Sequence, residues 1–186
     1  MNKRLTLTSA VVAILLAGCA AIQRPEVANP NVPEPKKPVE LSRYLGVWYE
    51  QARFDHSFER DCMNVTAKYE LRDDGLIGVT NRCQKNGETS TTKGTASIAG
   101  DPAKLEVTFF WPFKGDYWIL DHSDDYSWSI VGEPSGRYLW FLTRKKSVDE
   151  PTIDMLKGKA REMGYDLTGL IRVRQIEEGL TSPSDT

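Results

Sequence analysis

The chain is poor in the residue types on which most catalytic and metal chemistry is built. It has two histidines, His56 and His122, and three cysteines, Cys19, Cys62 and Cys83, in 186 residues. A Ser-His-Asp hydrolase would need one of those histidines as base, and no Gly-x-Ser-x-Gly nucleophile elbow accompanies either. His122 stands beside Asp121, Asp124 and Asp125, but all four lie in one polar turn without the ligand spacing of a metal site, so we read that turn as a solvated loop. No catalytic residue, metal or cofactor is therefore assigned. An excess of positive charge is also missing: 24 Lys plus Arg face 26 Asp plus Glu, a net charge of −2. A nucleic-acid partner, which calls for a basic face, is excluded on that ground. There is no repeat of solenoid length, and the longest apolar run, residues 5–16, is too short to span a bilayer.

What is present begins with an export signal over residues 1–18. Lys3 and Arg4 precede the apolar run, and small residues follow it. Leu16-Ala17-Gly18-Cys19 has the form of a lipobox, resembling the site at which bacterial lipoproteins are cleaved and the new terminal cysteine is acylated. By the same resemblance Ala20, where retained lipoproteins carry Asp, favours the outer membrane. Each buried methylene of an acyl chain contributes about 0.8 kcal/mol, so several chains on Cys19 would anchor the protein without spanning the membrane. Loss of Lys3 and Arg4 leaves 22 cations against 26 anions, a net charge of −4. Residues 19–39 carry Pro25, Pro30, Pro33, Pro35 and Pro38 and have almost nothing to bury, which predicts an extended spacer. In polyproline conformation such a spacer reaches roughly 60 Å.

Residues 40–175 form one domain's worth of sequence, and residues 176–186 a frayed tail. Eight runs of strand character are separated by turn chemistry at short intervals, the pattern of an antiparallel barrel or sandwich. They cover 46–54, 64–71, 76–82, 91–98, 105–111, 116–121, 126–131 and 137–144. Asp73-Asp74-Gly75 between the second and third is a hairpin signal, Asn86-Gly87 and Gly100-Asp101-Pro102 mark later turns, and Pro112 to Gly115 breaks the fifth from the sixth. One helix follows, with Ser147 or Asp149 as cap and Pro151 in the first turn. Ile153, Leu156, Ala160 and Met163 recur at helical spacing before Gly164. Its single apolar face predicts packing on the outside of the sheet. Residues 170–174 read as a short last strand.

The first strand, Gly46-Val47-Trp48-Tyr49-Glu50-Gln51-Ala52-Arg53-Phe54, places a glycine two residues before a tryptophan. Far along the chain Tyr138-Leu139-Trp140-Phe141-Leu142-Thr143-Arg144 ends on an arginine just before the helix. Together with the order of eight strands, helix and short strand, this resembles the lipocalin family, and the lipobox makes it most similar to the bacterial lipoprotein members. Asp121 and Tyr126 match part of a middle family motif. The resemblance implies an all-β fold: an eight-stranded antiparallel up-and-down barrel with one C-terminal α-helix outside and a short final strand. It also implies that Trp48 plugs the narrow end while Arg144 lies across its ring, closing the barrel; a guanidinium over an indole contributes roughly 0.5 to 2 kcal/mol.

With Cys19 acylated, Cys62 and Cys83 remain as a pair in an oxidising compartment. Across a hairpin turning at residues 73–75, facing residues have numbers summing to about 147; these two sum to 145, so we expect a disulfide. A barrel thiolate acting as nucleophile is the rival reading, but Glu59 and Asp61 make a poor setting for it. The barrel interior should hold the ligand, and the candidate lining is aromatic: Trp111, Phe113, Tyr117, Trp128, Tyr138 and Trp140. Strict alternation from Trp48 adds Glu50 as a polar group in the cup and Phe54 near its rim. The resemblance implies a lipophilic ligand; the membrane anchor makes a fatty acid or lysophospholipid the nearest supply. The function expected is a non-enzymatic carrier. The alternatives are an enzyme acting through Cys62 or the His122 turn, and a scaffold whose barrel is filled by its own side chains. The family also allows a homodimer, though no stretch predicts its interface.

Overall fold

The computed structural model describes residues 25–176. The export signal and Cys19 lie outside the described residues, as does nearly all of the tail. After the four-residue helix α1 (Leu41–Tyr44) come strands β1 (Gly46–Phe54), β2 (Met63–Leu71), β3 (Ile77–Lys85), β4 (Glu88–Ala99), β5 (Asp101–Phe110), β6 (Phe113–His122), β7 (Trp128–Gly132) and β8 (Leu139–Thr143). Helix α2 (Glu150–Glu162) and the short β9 (Leu170–Arg172) complete the order. Each strand pairs antiparallel with the next, and β1 closes the ring by pairing with both β8 and β2. The result is the expected eight-stranded up-and-down barrel. Beyond its contact with β2, which ends at Tyr49, the upper half of β1 takes β9 as its neighbour through Ala52, Arg53 and Phe54.

Two apolar layers hold this together. Inside the barrel lie Trp48, Tyr69, Val79, Ala96, Leu105, Val107, Ile119, Val131 and Leu142, with Tyr44 of α1 beneath them. Outside it, Leu156 and Ala160 of α2 and Tyr165 pack on Ala52, Phe54, Leu120, Ile130, Leu139 and Phe141. The helix starts where its sequence says it should: Asp149 is the N-cap, its carboxylate accepting from the Thr152 amide, and Pro151 occupies the first turn. Helix α1 was not foreseen; four residues are too few to carry a period, and no side chain caps it.

Three sequence expectations about the strands need correction. Gly100 makes the β4–β5 turn alone, with Ala99 opposite Asp101, because its φ of 84° is open to glycine. Strand β6 begins at Phe113, paired with Phe110, so Trp111 and Pro112 are the whole turn. Strand β4 begins at Glu88 against Lys85, three residues early, because the Asn86-Gly87 turn is tight.

The larger correction concerns residues 25–39. They are not a free spacer. Ala28 and Asn29 donate their amides to the Gly136 carbonyl in the β7–β8 turn, and Asn29 donates its side-chain amide to the Met163 carbonyl. At the other end Lys37 reaches the His122 carbonyl and Asp124 in the β6–β7 turn. Those two turns lie at opposite ends of the barrel, so the segment is a strap running its length. The polyproline estimate fails because partners more than 80 residues away fix the path of the segment.

Candidate functional site

The base of the barrel is sealed by residues of α1, β1 and β8. Trp48 is fully buried, donates its indole N–H to the Tyr44 carbonyl at 2.8 Å, and lies 3.8 Å below the Arg144 guanidinium. Arg144 also donates to the carbonyls of Arg43, Tyr44, Leu45 and Val47. The first three of those carbonyls lie at the end of α1 and have no helical partner, so one cation satisfies these orphan acceptors and covers the indole at once.

Above this plug sits a ring of hydroxyls. Tyr44 and Tyr69 each meet the Tyr117 hydroxyl at 2.9 Å, and Tyr44 also reaches Ser129. Burial pushes the Tyr44 hydroxyl up to about 12 and raises Tyr69 and Tyr117 further above the ordinary tyrosine value. All three stay neutral and satisfy one another, which lets polar atoms sit in an apolar interior.

Higher in the barrel the interior layer changes character. Phe109 and Trp140 border the buried cluster yet remain partly accessible. Towards the mouth stands a charged group. Arg53 donates to the Glu50 carboxylate at 2.9 Å and to the Glu59 carbonyl, while the Glu59 carboxylate lies 3.1 Å from His56. All four residues are buried. Burial is the main force holding the Glu50 carboxyl well above 4.5; Glu59 adds to it and Arg53 opposes it. The β1–β2 loop that supplies His56 and Glu59 is tied down by the Cys62–Cys83 disulfide, with Cα atoms 5.4 Å apart. His56 stacks on Phe58 at 3.7 Å, and Tyr138 on Trp140 at 5.7 Å.

The residues expected to line the ligand site are therefore dispersed. Glu50, Tyr117 and Trp140 face the interior. Tyr138 belongs to the stack over the mouth, and Trp111 and Phe113 sit on the β5–β6 turn, 88% and 76% exposed. Phe54 and Trp128 do not face the interior. Phe54 packs against Tyr165 at 6.2 Å, and Trp128 lies under Lys159 of α2 at 5.1 Å. The error for Phe54 comes from a β-bulge between Glu50 and Ala52, where Gln51 is an extra residue opposite the Leu142–Phe141 step of β8. One added residue reverses the alternation. It turns Phe54 outward and brings in Arg53, a buried cation that alternation had placed outside.

In the His122 turn Asp124 and Asp125 are solvated as expected, but the histidine is not. His122 is 3% exposed, stacks on Tyr126 at 4.3 Å, and sets its two ring nitrogens against the carbonyls of Ser123 and Pro38. Among the described residues no group of three His, Cys, Asp or Glu side chains is placed to hold a metal. The sulfur of Cys62 is in the disulfide, which closes the thiolate route.

An eight-stranded antiparallel barrel, apolar within, sealed at one end by an indole under a guanidinium and flanked by one outer helix, is the architecture of a lipocalin. The lipocalin-like domain model matches residues 39–175, and the chain belongs to the lipocalin family. It is 38% identical over 168 residues to the outer membrane lipoprotein Blc of Vibrio cholerae serotype O1, covering 88% of this chain and 98% of that one. It is 42% identical to the Escherichia coli K12 protein of the same name, over 73% and 79%, and 37% identical to temperature-induced lipocalin-1 of Arabidopsis thaliana, over 81% and 88%. Among solved structures, the cockroach allergen Per a 4 superposes with a TM-score of 0.63 at 21% identity, over 80% of this chain and 96% of that one. Insecticyanin from the tobacco hornworm superposes with 0.61 at 20%, over 84% and 87%. These structures share the fold.

Proposed function

We propose that the chain is a non-enzymatic carrier, anchored through an acylated Cys19 to the bacterial outer membrane, whose calyx takes up the hydrocarbon tail of a fatty acid or lysophospholipid. The anchor is supported by the lipobox and by relatives that are named outer membrane lipoproteins. One observation carries the ligand reading: above a sealed base the interior is apolar, and Phe109 and Trp140 on its wall are still partly accessible. An apolar wall suits a hydrocarbon tail, and the Glu50–Arg53–Glu59–His56 group would meet its polar head. Each buried methylene contributes about 0.8 kcal/mol, which brings a long chain to micromolar affinity or tighter after ordering costs.

Titrating the delipidated protein with a long-chain fatty acid and with a lysophospholipid should change the tryptophan emission. Trp140→Phe should remove most of that change, whereas Trp128→Phe, under the helix, should leave it in place. An emission that responds to no acyl ligand overturns the proposal.

A further inference from the structure

The strap fixes which end of the barrel the anchor can reach. Pro25, where the described chain begins, accepts a hydrogen bond from Arg137 at 2.7 Å, and Ala28 is bonded to Gly136. Both partners lie in the β7–β8 turn, on the same end as the β1–β2 loop, the Asn86-Gly87 turn and the Trp111-Pro112 turn: the open end. Only six residue steps separate Cys19 from Pro25. Even fully extended they reach no more than about 20 Å. The sealed base, with Trp48 and Arg144, is a whole strand length further away.

The open end also carries the four most exposed of the large apolar side chains among the described residues. Phe110, Trp111 and Phe113 at the β5–β6 turn are 72%, 88% and 76% exposed, and Phe58 on the β1–β2 loop is 65% exposed. A soluble rim gains nothing from such a cluster, whereas tryptophan and phenylalanine favour the headgroup region of a bilayer. The cations nearby are already engaged: Arg60 with Asp55, Lys85 with Asp61, Lys114 with Glu106. Among the described residues these pairs neutralise the cations of the β1–β2 loop and of the β3–β4 and β5–β6 turns.

We propose that the short tether holds the barrel mouth-down, with Trp111, Phe110, Phe113 and Phe58 seated in the interfacial layer of the membrane to which Cys19 is attached. A tail then passes between bilayer and calyx without crossing water. The tether supplies the local concentration that four aromatics alone would lack, so the seating does not depend on lipid charge. This rests on the reading of Cys19 as the anchor, and the experiment separates the two.

The full lipidated chain is placed in phosphatidylcholine vesicles, with and without phosphatidylglycerol, after a nitroxide has been attached at Lys114→Cys beside the aromatics or at Asp73→Cys in the β2–β3 turn at the sealed end. Flotation with the vesicles reports the anchor. The ratio of oxygen to water-soluble nickel accessibility reports immersion. The result expected is flotation of both, a ratio several-fold higher at 114 than at 73 in either vesicle, and its loss in Trp111→Ser/Phe113→Ser. Flotation with both probes in water overturns the orientation while leaving the anchor standing; absence of flotation overturns the anchor and the orientation with it. Immersion that needs phosphatidylglycerol, or that survives the double substitution, overturns the aromatic seating. Dipolar broadening at 114 overturns it too, assigning the rim to a second copy of the chain.

Discussion

Glu50 and Arg53, three residues apart on one strand, meet inside the barrel at 2.9 Å. Strict alternation would put them on opposite faces; the bulge at Gln51 puts both within. Gln51 itself is held by Thr143 and by the carbonyls of Lys145 and Lys146. The bulge thus brings Arg53 in beside Glu50 and turns an apolar pair, Ala52 and Phe54, under the helix.

Burial raises the Glu50 carboxyl above its unfolded value of 4.5, so the folded protein holds a proton there that the unfolded chain releases. The stabilisation is fully present below 4.5 and is lost as pH rises through the folded value. Glu50→Gln, which mimics the protonated form, should flatten this dependence. Melting temperatures across about pH 5 to 8 should show the variant gaining on the parent as pH rises. Parallel curves would show that Glu50 titrates normally.

Arg144→Lys keeps the charge but cannot hold four carbonyls and an indole together. We expect a loss of about 1–3 kcal/mol in urea unfolding, the cost of charge-assisted bonds to carbonyls that are partly shielded from water. A lysine as stable as the arginine would mean that the ring contact and not the fork supports the base.

Gly136→Ala should release the strap. A Cβ there would meet the Asn29 carbonyl oxygen at 1.7 Å, and the φ of 65° is itself unfavourable for alanine. We expect a loss of roughly 2–3 kcal/mol and trypsin cleavage after Lys36 in the folded protein, which the parent resists. Unchanged resistance would show that the strap does not depend on this turn.

Breaking the disulfide by Cys62→Ser/Cys83→Ser opens a loop of 21 residues. The chain-entropy argument gives a loss of about 3 kcal/mol. Because that bridge holds the loop bearing His56 and Glu59, fatty-acid affinity should fall as well. Native, unreduced protein should resist thiol alkylation at both positions.

Much of this was written locally. The hairpin at Asp73-Asp74-Gly75, the cap and proline of α2, the extent of β1, and the plug formed by Trp48 and Arg144 were legible from turn chemistry, residue period and family resemblance. The Cys62–Cys83 bridge followed from hairpin register. A bulge has no comparable signature, because one extra residue in a strand leaves composition and spacing untouched while reversing every side chain beyond it. Hence Arg53 was missed and Phe54 misplaced. Trp128 and the burial of His122 were hidden for a related reason: whether a side chain meets solvent or a neighbour depends on what is laid over it, here α2 and the strap.

By itself the sequence pattern determined an antiparallel barrel or sandwich with one outer helix, since alternation, turns and caps act between near neighbours along the chain; the sealed barrel was what the lipocalin resemblance implied. Only the tertiary structure decided which face each residue of β1 presents and which end of the barrel lies beside the anchor. Both depend on contacts between segments as far apart as Asn29 and Met163, and such contacts exist only once the sheet has closed.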